Sequence, residues 1–208
     1  MYLNVKFLNK TNLIKYIYNH YQYDVLICLF GVILTYKTIS PIYSTIIIIS
    51  LIYYSYFTHI LLHIIPEKYN PHLTFHKFNN NNTDQHFMKN INISLVFKAL
   101  IDVGVFVILY YFQILINYEL FPPILILYYG IIYITVHNIN YSLFHLGNHK
   151  YHLVDSGKKT TNFGPDSIDH LLGTNYNSKY EHMYHYIPNI IFAFLLTIIF
   201  FCNNNDIL

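Results

Sequence analysis

The stretch FTHILLHIIPEKYNPHLTFHK carries four histidines, His59, His63, His72 and His76, directly after the apolar run STIIIISLIYYSY. His59 and His63 stand four residues apart at the end of that run. A helix therefore puts both imidazoles on one face, close enough to share a metal ion. His72 and His76 repeat the spacing after Pro71, a suitable first residue for a new helix. A third group is spread along VHNINYSLFHLGNHKYHLV, where His137, His145, His149 and His152 are separated by eight, four and three residues. At about 100° per residue these fall in one helical stripe, with Gly147-Asn148 as the break in it.

Packing alone does not call for eight imidazoles at such spacings, because each buried one needs a hydrogen-bond partner. Metal ligation does, and imidazole suits iron, zinc, copper and nickel. No cysteine lies near enough to favour thiolate-bound zinc or an iron–sulfur cluster. Cys28 and Cys202 sit in or beside apolar runs near opposite ends and read as inert core thiols. His20, His86, His170 and His182 read as ordinary snorkelling or hydrogen-bonded side chains. The chain holds no H-E-x-x-H, G-x-S-x-G, P-loop or G-x-G-x-x-G segment, which removes the usual support for protease, hydrolase and nucleotide-dependent activities.

The elements that must position these groups are set by composition. The chain has 208 residues, 54% of them hydrophobic and 11% charged, with a mean hydropathy of +0.34. That leaves too little polar surface to cover a water-soluble globule of this size, so the chain reads as a membrane protein. A formal charge of +2 with scattered lysines gives no nucleic-acid footprint. Spanning helices need about 20 mostly apolar residues, and the candidates are Val25 to Ile39 with its flanks, Ile42 to Leu62, Ile93 to Leu115 and Pro123 to Ile139. A fifth run, Ile190 to Cys202, either spans or lies partly embedded. Residues 1–23 lack the apolar core and cleavage site of a signal peptide and read as an interfacial amphipathic segment, followed by one membrane domain over 24–208.

The expected fold is all-α: an integral membrane bundle of about four transmembrane helices with a cytosolic, His-rich helical cap. Two helical hairpins return the chain to its starting side after the second and fourth spans, so the His-rich loops share a face. Lys6, Lys10, Lys15, Lys68, Lys77, Lys89, Lys150, Lys158, Lys159 and Lys179 fall on that side, and the opposite loops hold Lys37. By the positive-inside rule the His face is cytosolic. Lys98, inside the third span, is placed to snorkel toward it.

In order, spacing and hydropathy frame, roughly residues 40 to 190 resemble the fatty acid hydroxylase and sterol desaturase superfamily of membrane oxygenases. The matching pieces are His59-x-x-x-His63, His76 opening a second box, the isolated His137, His149-x-x-His152, then Asn162-Phe163-Gly164 and Asp169-x-x-Leu172-Gly173-Thr174. The chain departs from the pattern at Asn79 and Asn80, at Tyr141 and at Leu153, where the family places further histidines; His72, His145 and His185 are the substitutes in reach.

The resemblance implies a non-haem di-iron centre on His59, His63, His72, His76, His137, His145, His149 and His152, with a single ion or zinc as the reduced alternative. It also implies an electron donor such as cytochrome b5 or a reductase, a lipid substrate drawn from the bilayer, and residence in the endoplasmic reticulum or an equivalent host membrane. Asp166 and Asp169 are the carboxylates expected to hold the ligating imidazoles in orientation, with a helix N-cap as the alternative role for Asp169. The rival expectation is a catalytically degenerate member that binds lipid or a partner, or serves as a structural membrane protein. A zinc or copper transporter or sensor is disfavoured, because its polar groups would line a span instead of gathering at one interface.

Overall fold

A computed structural model describes residues 10–65, 87–144, 164, 166–172, 174 and 184–203, and every regular element among them is helical. Helix α1 spans Lys10–Thr35, α2 Pro41–Ile64, α3 Phe87–Leu115, α4 Pro123–Thr135, α5 Asp166–Leu172 and α6 Tyr186–Asn203; α4 runs directly into a π-helical segment, Val136–Leu143. The boundary expected at residue 23 falls inside α1, which continues across it. No Pro or Gly stands between Lys10 and Phe30 to stop the helix.

Among the described residues, three helical stretches are long and apolar enough to cross a membrane: Pro41–Ile64, Leu95–Leu115 and Pro123–Tyr141. They match the second, third and fourth expected spans. The first and fifth candidates form apolar helices too, Tyr21–Thr35 and Tyr186–Phe201, but both are shorter. In a bilayer core every backbone N–H and C=O must be paired within its own segment, and this favours helix even for Ile-rich runs with modest helix propensity.

The helices alternate in direction. α1 runs away from the end where Tyr23 packs on Tyr186, and turns at the far end, where Thr35 and Ser44 hydroxyls meet at 2.6 Å. Ser40 then caps α2 by accepting from the Tyr43 N–H, with Pro41 in the first helical turn. The α3–α4 turn, also at the far end, is held by Gln113. Its amide donates to the Phe121 carbonyl at 3.0 Å and accepts from the Phe121 N–H at 2.5 Å, while Asn117 adopts the left-handed conformation (φ 51°) that lets the chain leave α3.

α4 is the central helix, packed against α1, α2, α3 and α6. Its span is 72% buried, against 28% for α3, so α3 is the peripheral helix and turns a largely apolar surface outward. A helix apolar on all sides, such as PILILYYGIIYIT, is suited to that central place. The Tyr54 hydroxyl donates to the Val105 carbonyl at 2.8 Å and ties α2 to α3.

The α1–α2 crossing depends on Gly31. A Cβ there would lie 2.9 Å from Cγ1 and 3.0 Å from Cδ1 of Ile48, itself fully buried. Gly31→Val is predicted to force the helices apart and to cost about 1–3 kcal/mol. Thermal unfolding in detergent checks this, and an unchanged midpoint would refute the close crossing.

Candidate functional site

The period that buries one face of α2 also determines where its histidines point. Ser44, Ile47, Ile48, Leu51, Ile52, Ser55, Tyr56, His59, Ile60 and His63 are all buried, so the imidazoles continue the inward stripe of the helix. His59 is 1% exposed and His63 5%. Their Nε2 atoms face each other at 3.2 Å.

The third imidazole comes from the end of α4. His137, 3% exposed, places its ring centroid 4.9 Å from that of His59, and His59 lies 5.0 Å from His63. α2 and α4 therefore end side by side, as the two-hairpin topology requires. His137 Nδ1 lies 2.9 Å from Oδ2 of Asp102 on α3, and the side-chain amide of Asn138 donates to the same oxygen at 2.8 Å. An anionic acceptor at Nδ1 selects the tautomer that carries its proton there and leaves the Nε2 lone pair for a ligand role.

The π segment makes this arrangement possible. Its wider turn, closed by the Phe144 N–H on the Ile139 carbonyl, carries His137 and Asn138 toward Asp102, and Asn140 and Tyr141 toward α6. Asn140 donates at 2.9 Å to both the His185 carbonyl and Oδ1 of Asn189, and the Tyr141 and Tyr186 hydroxyls hydrogen-bond. All four π-segment side chains are buried. Tyr141, the position where the family pattern admits a histidine, sits between His137 and His185, with ring centroids 6.4 and 6.3 Å away.

Lys98 does not snorkel. It is 2% exposed, and its ammonium donates to the His137 carbonyl at 3.3 Å. It stands four residues before Asp102 on α3, so a cation and an anion are buried together against the π segment.

Asp169 lies inside α5, which begins at Asp166, so it is not the helix N-cap. Its carboxylate accepts from the Gly164 N–H and from the Thr174 hydroxyl, each at 2.6 Å, and Thr174 in turn meets the Tyr56 hydroxyl at 2.8 Å. Gly164 and Thr174 thus meet at one buried carboxylate, which is tied to α2 through Tyr56. Gly164 needs its left-handed φ of 59° to reach it. Asp169→Ala is predicted to leave two donors unmet at about 1–3 kcal/mol each. Thermal unfolding measures this, and a variant as stable as the wild type would contradict the tie.

Of the eight expected ligands, the structure brings His59, His63 and His137 together. His72, His76, His145, His149 and His152 lie outside the described residues, as do Asn79, Asn80 and Leu153. Asp166 opens α5. Among the described residues no group of three or more His, Cys, Asp or Glu side chains closes on one point in ligand geometry. The His59–His63 pair nevertheless fits one ion: two metal–nitrogen bonds of about 2.1 Å meeting at roughly 100° span the observed 3.2 Å. The same separation also suits a direct N–H···N hydrogen bond.

Sequence reasoning passed over Asp102, Asn138, Asn140 and Tyr186. The available signal was Lys98-x-x-x-Asp102, two opposite charges one helical turn apart inside an apolar span, where an ionisable residue marks a functional site by default. Comparison with known proteins returns no match to any family, any curated protein or any solved structure.

Proposed function

We propose that the protein is a membrane-bound lipid C–H oxidoreductase, hydroxylase- or desaturase-like, in which His59, His63 and His137 are the inner part of an iron site. The observation that supports it is the buried His59–His63 pair with facing Nε2 atoms, and His137 beside it on a carboxylate. Two or three imidazoles gathered in an apolar bundle, one of them oriented by an anion, form the kind of donor set that first-row metals take. In this reading the remaining ligands come from His72, His76, His145, His149 and His152. The chemistry that such iron supplies when bound is activation of dioxygen, with electrons from a separate donor such as cytochrome b5 or a reductase, sufficient to break an unactivated C–H bond.

The chain's own residues do the rest. Asp102 keeps the Nδ1 proton on His137, and Asn138 holds Asp102 in place. Tyr133, Val136 and Tyr141 keep bulk water from the inner side of the imidazoles. The three long apolar helices put the cluster where a bilayer lipid has access to it. In the four-span arrangement, with the two-hairpin topology and the lysines on one side, the His face is cytosolic, in the endoplasmic reticulum or an equivalent host membrane.

The test is metal analysis of the purified protein together with lipid profiling of cells that express it. Iron near stoichiometry and a dioxygen-dependent lipid product are the expected results. A second reading, a catalytically degenerate scaffold that binds lipid, is favoured by the departures at Asn79, Asn80, Tyr141 and Leu153. Absent metal with an intact fold would establish it over the first.

A further inference from the structure

An open pocket of about 370 Å³ lies at the far end of the bundle, where α3 ends at Leu115 and α4 begins at Pro123. Two of the membrane-crossing stretches stop there, which sets the pocket at the level of lipid headgroups. The length of α4, about 20 Å, separates it from the histidines. The turn around it is braced from within. Gln113 has both ends of its amide engaged by Phe121, and the Gln113 and Ile114 carbonyls accept from the Tyr118 and Asn117 N–H groups at 3.1 Å each. Tyr118 and Glu119 therefore stand on a turn already ordered for a ligand.

Among the described residues that line the pocket, Glu119 alone is charged, and Tyr110 and Tyr118 add two exposed phenol rings. The C-terminal end of α3 contributes further negative potential. The pocket thus attracts a cation. One carboxylate falls well short of the roughly six to eight oxygens that calcium takes. A primary ammonium brings three donors that need acceptors, while the Gln113 amide and the carbonyls beside it already have partners within the turn. A methylated ammonium donates no hydrogen bond and is held by charge and by aromatic faces, which this lining provides. Its bulk is close to that of benzene, for which a cavity of roughly 150 Å³ suffices, so the pocket also has room for the phosphate that follows it in a lipid headgroup.

We propose that this pocket binds the quaternary ammonium headgroup of a phosphatidylcholine-type lipid in the leaflet opposite the histidines. A lipid is the occupant, and not a soluble cation, because an apolar track leads out of the pocket. Tyr110 and Ile114 line it, and Val103 and Val107 continue the same face of α3 toward the bilayer centre; all four are exposed. Acyl chains lie along that track while the headgroup sits between the tyrosines and Glu119. The site is independent of the oxidoreductase reading, since its lipid is held away from the imidazoles.

Native mass spectrometry of the delipidated full chain in detergent tests this, with phosphatidylcholine, phosphatidylethanolamine and phosphatidylglycerol of identical acyl chains as probes. Phosphatidylcholine should be retained about threefold more than phosphatidylethanolamine and about tenfold more than the anionic lipid. Glu119→Gln should lower its retention about fivefold and Tyr118→Leu about threefold, whereas Tyr118→Trp, the stronger partner for a cation, should retain at least as much as the wild type. Both positions are exposed, so the unfolding midpoint should hold in all three variants. Equal retention of the three lipids would overturn the proposal, as would phosphatidylcholine retention unchanged in both Glu119→Gln and Tyr118→Leu. Glycerophosphocholine, the headgroup without its chains, should displace the lipid only in large excess. Displacement at equal concentration would overturn the lipid as occupant and give the pocket to a soluble cation.

Discussion

His63→Ala is expected to abolish metal binding and lipid turnover together, and His59→Ala to do the same, while His86→Ala leaves both intact. The two inner imidazoles face each other through Nε2 atoms 3.2 Å apart and are almost wholly enclosed, so each offers its donor at a fixed point. Removing one takes a donor from the pair and leaves a void against the other. A Leu-sized truncation of this kind in a core costs about 2–5 kcal/mol, so the fold must be followed as well. His63→Gln, which retains bulk and polarity, separates the two effects: it should keep most of the stability while losing the ion. The measurements are metal content by mass spectrometry, lipid product profile and unfolding midpoint. Metal retained at wild-type stoichiometry in His63→Ala would show that the ligand assignment is wrong.

The second large effect is expected at Asp102. Its carboxylate is 1% exposed and takes both the His137 Nδ1–H and the Asn138 amide, with Lys98 one turn away on the same helix. Asp102→Ala strands a buried cation and two donors, and breaking a buried charge pair costs about 3–5 kcal/mol. Most of that variant is predicted not to fold. Asp102→Asn is the informative change, because its Oδ1 can still accept from His137 and Asn138 while the negative charge is gone. It is predicted to fold and to bind metal about 10–100-fold more weakly, the usual cost of losing a charged partner behind a ligating imidazole.

Adding Lys98→Met to Asp102→Asn should recover stability, since no unbalanced cation remains, without recovering metal affinity. A purely structural role for Asp102 predicts the opposite, with both returning together. Titration with iron or zinc, alongside thermal unfolding of the single and double variants, distinguishes the two outcomes.

Much of the architecture was legible because membranes impose simple rules. A run long enough to cross the bilayer and unable to leave its backbone unpaired has one answer, and Ile42 to Leu62, Ile93 to Leu115 and Pro123 to Ile139 all became helices within a few residues of the expected limits. The meeting of His59 with His137, 78 positions apart, was also legible, through topology alone: helices that alternate in direction bring the ends of α2 and α4 to one side. The four-residue spacing of His59 and His63 fixed their common face.

Direction, not position, was hidden. Hydropathy placed these imidazoles at a boundary between lipid and water, yet could not say whether they turned outward, and the packing of α2 turned them in. Lys98 likewise was found at the right depth with the wrong destination, because a lone cation in a span snorkels only when no buried acceptor is nearer. The His137 carbonyl is nearer, and its orientation follows from the π-helical turn. No periodicity in VHNINYSL announces that turn. Asp169 shows the same limit: the spacing marked it as important, and only the fold revealed that its carboxylate accepts from Gly164 and Thr174 and so fastens the α5 loop to α2 through Tyr56.

By itself, the sequence determined that this is a helical membrane protein with imidazoles gathered at one end of its spans. Local spacing and total hydropathy are properties of consecutive residues, and the bilayer acts on them directly. The tertiary structure alone decided which groups touch. It put Asp102 behind His137, buried Lys98 beside it, and joined Asn140 and Tyr141 to the last helix, because each of these depends on how side chains from different helices share the same few ångströms.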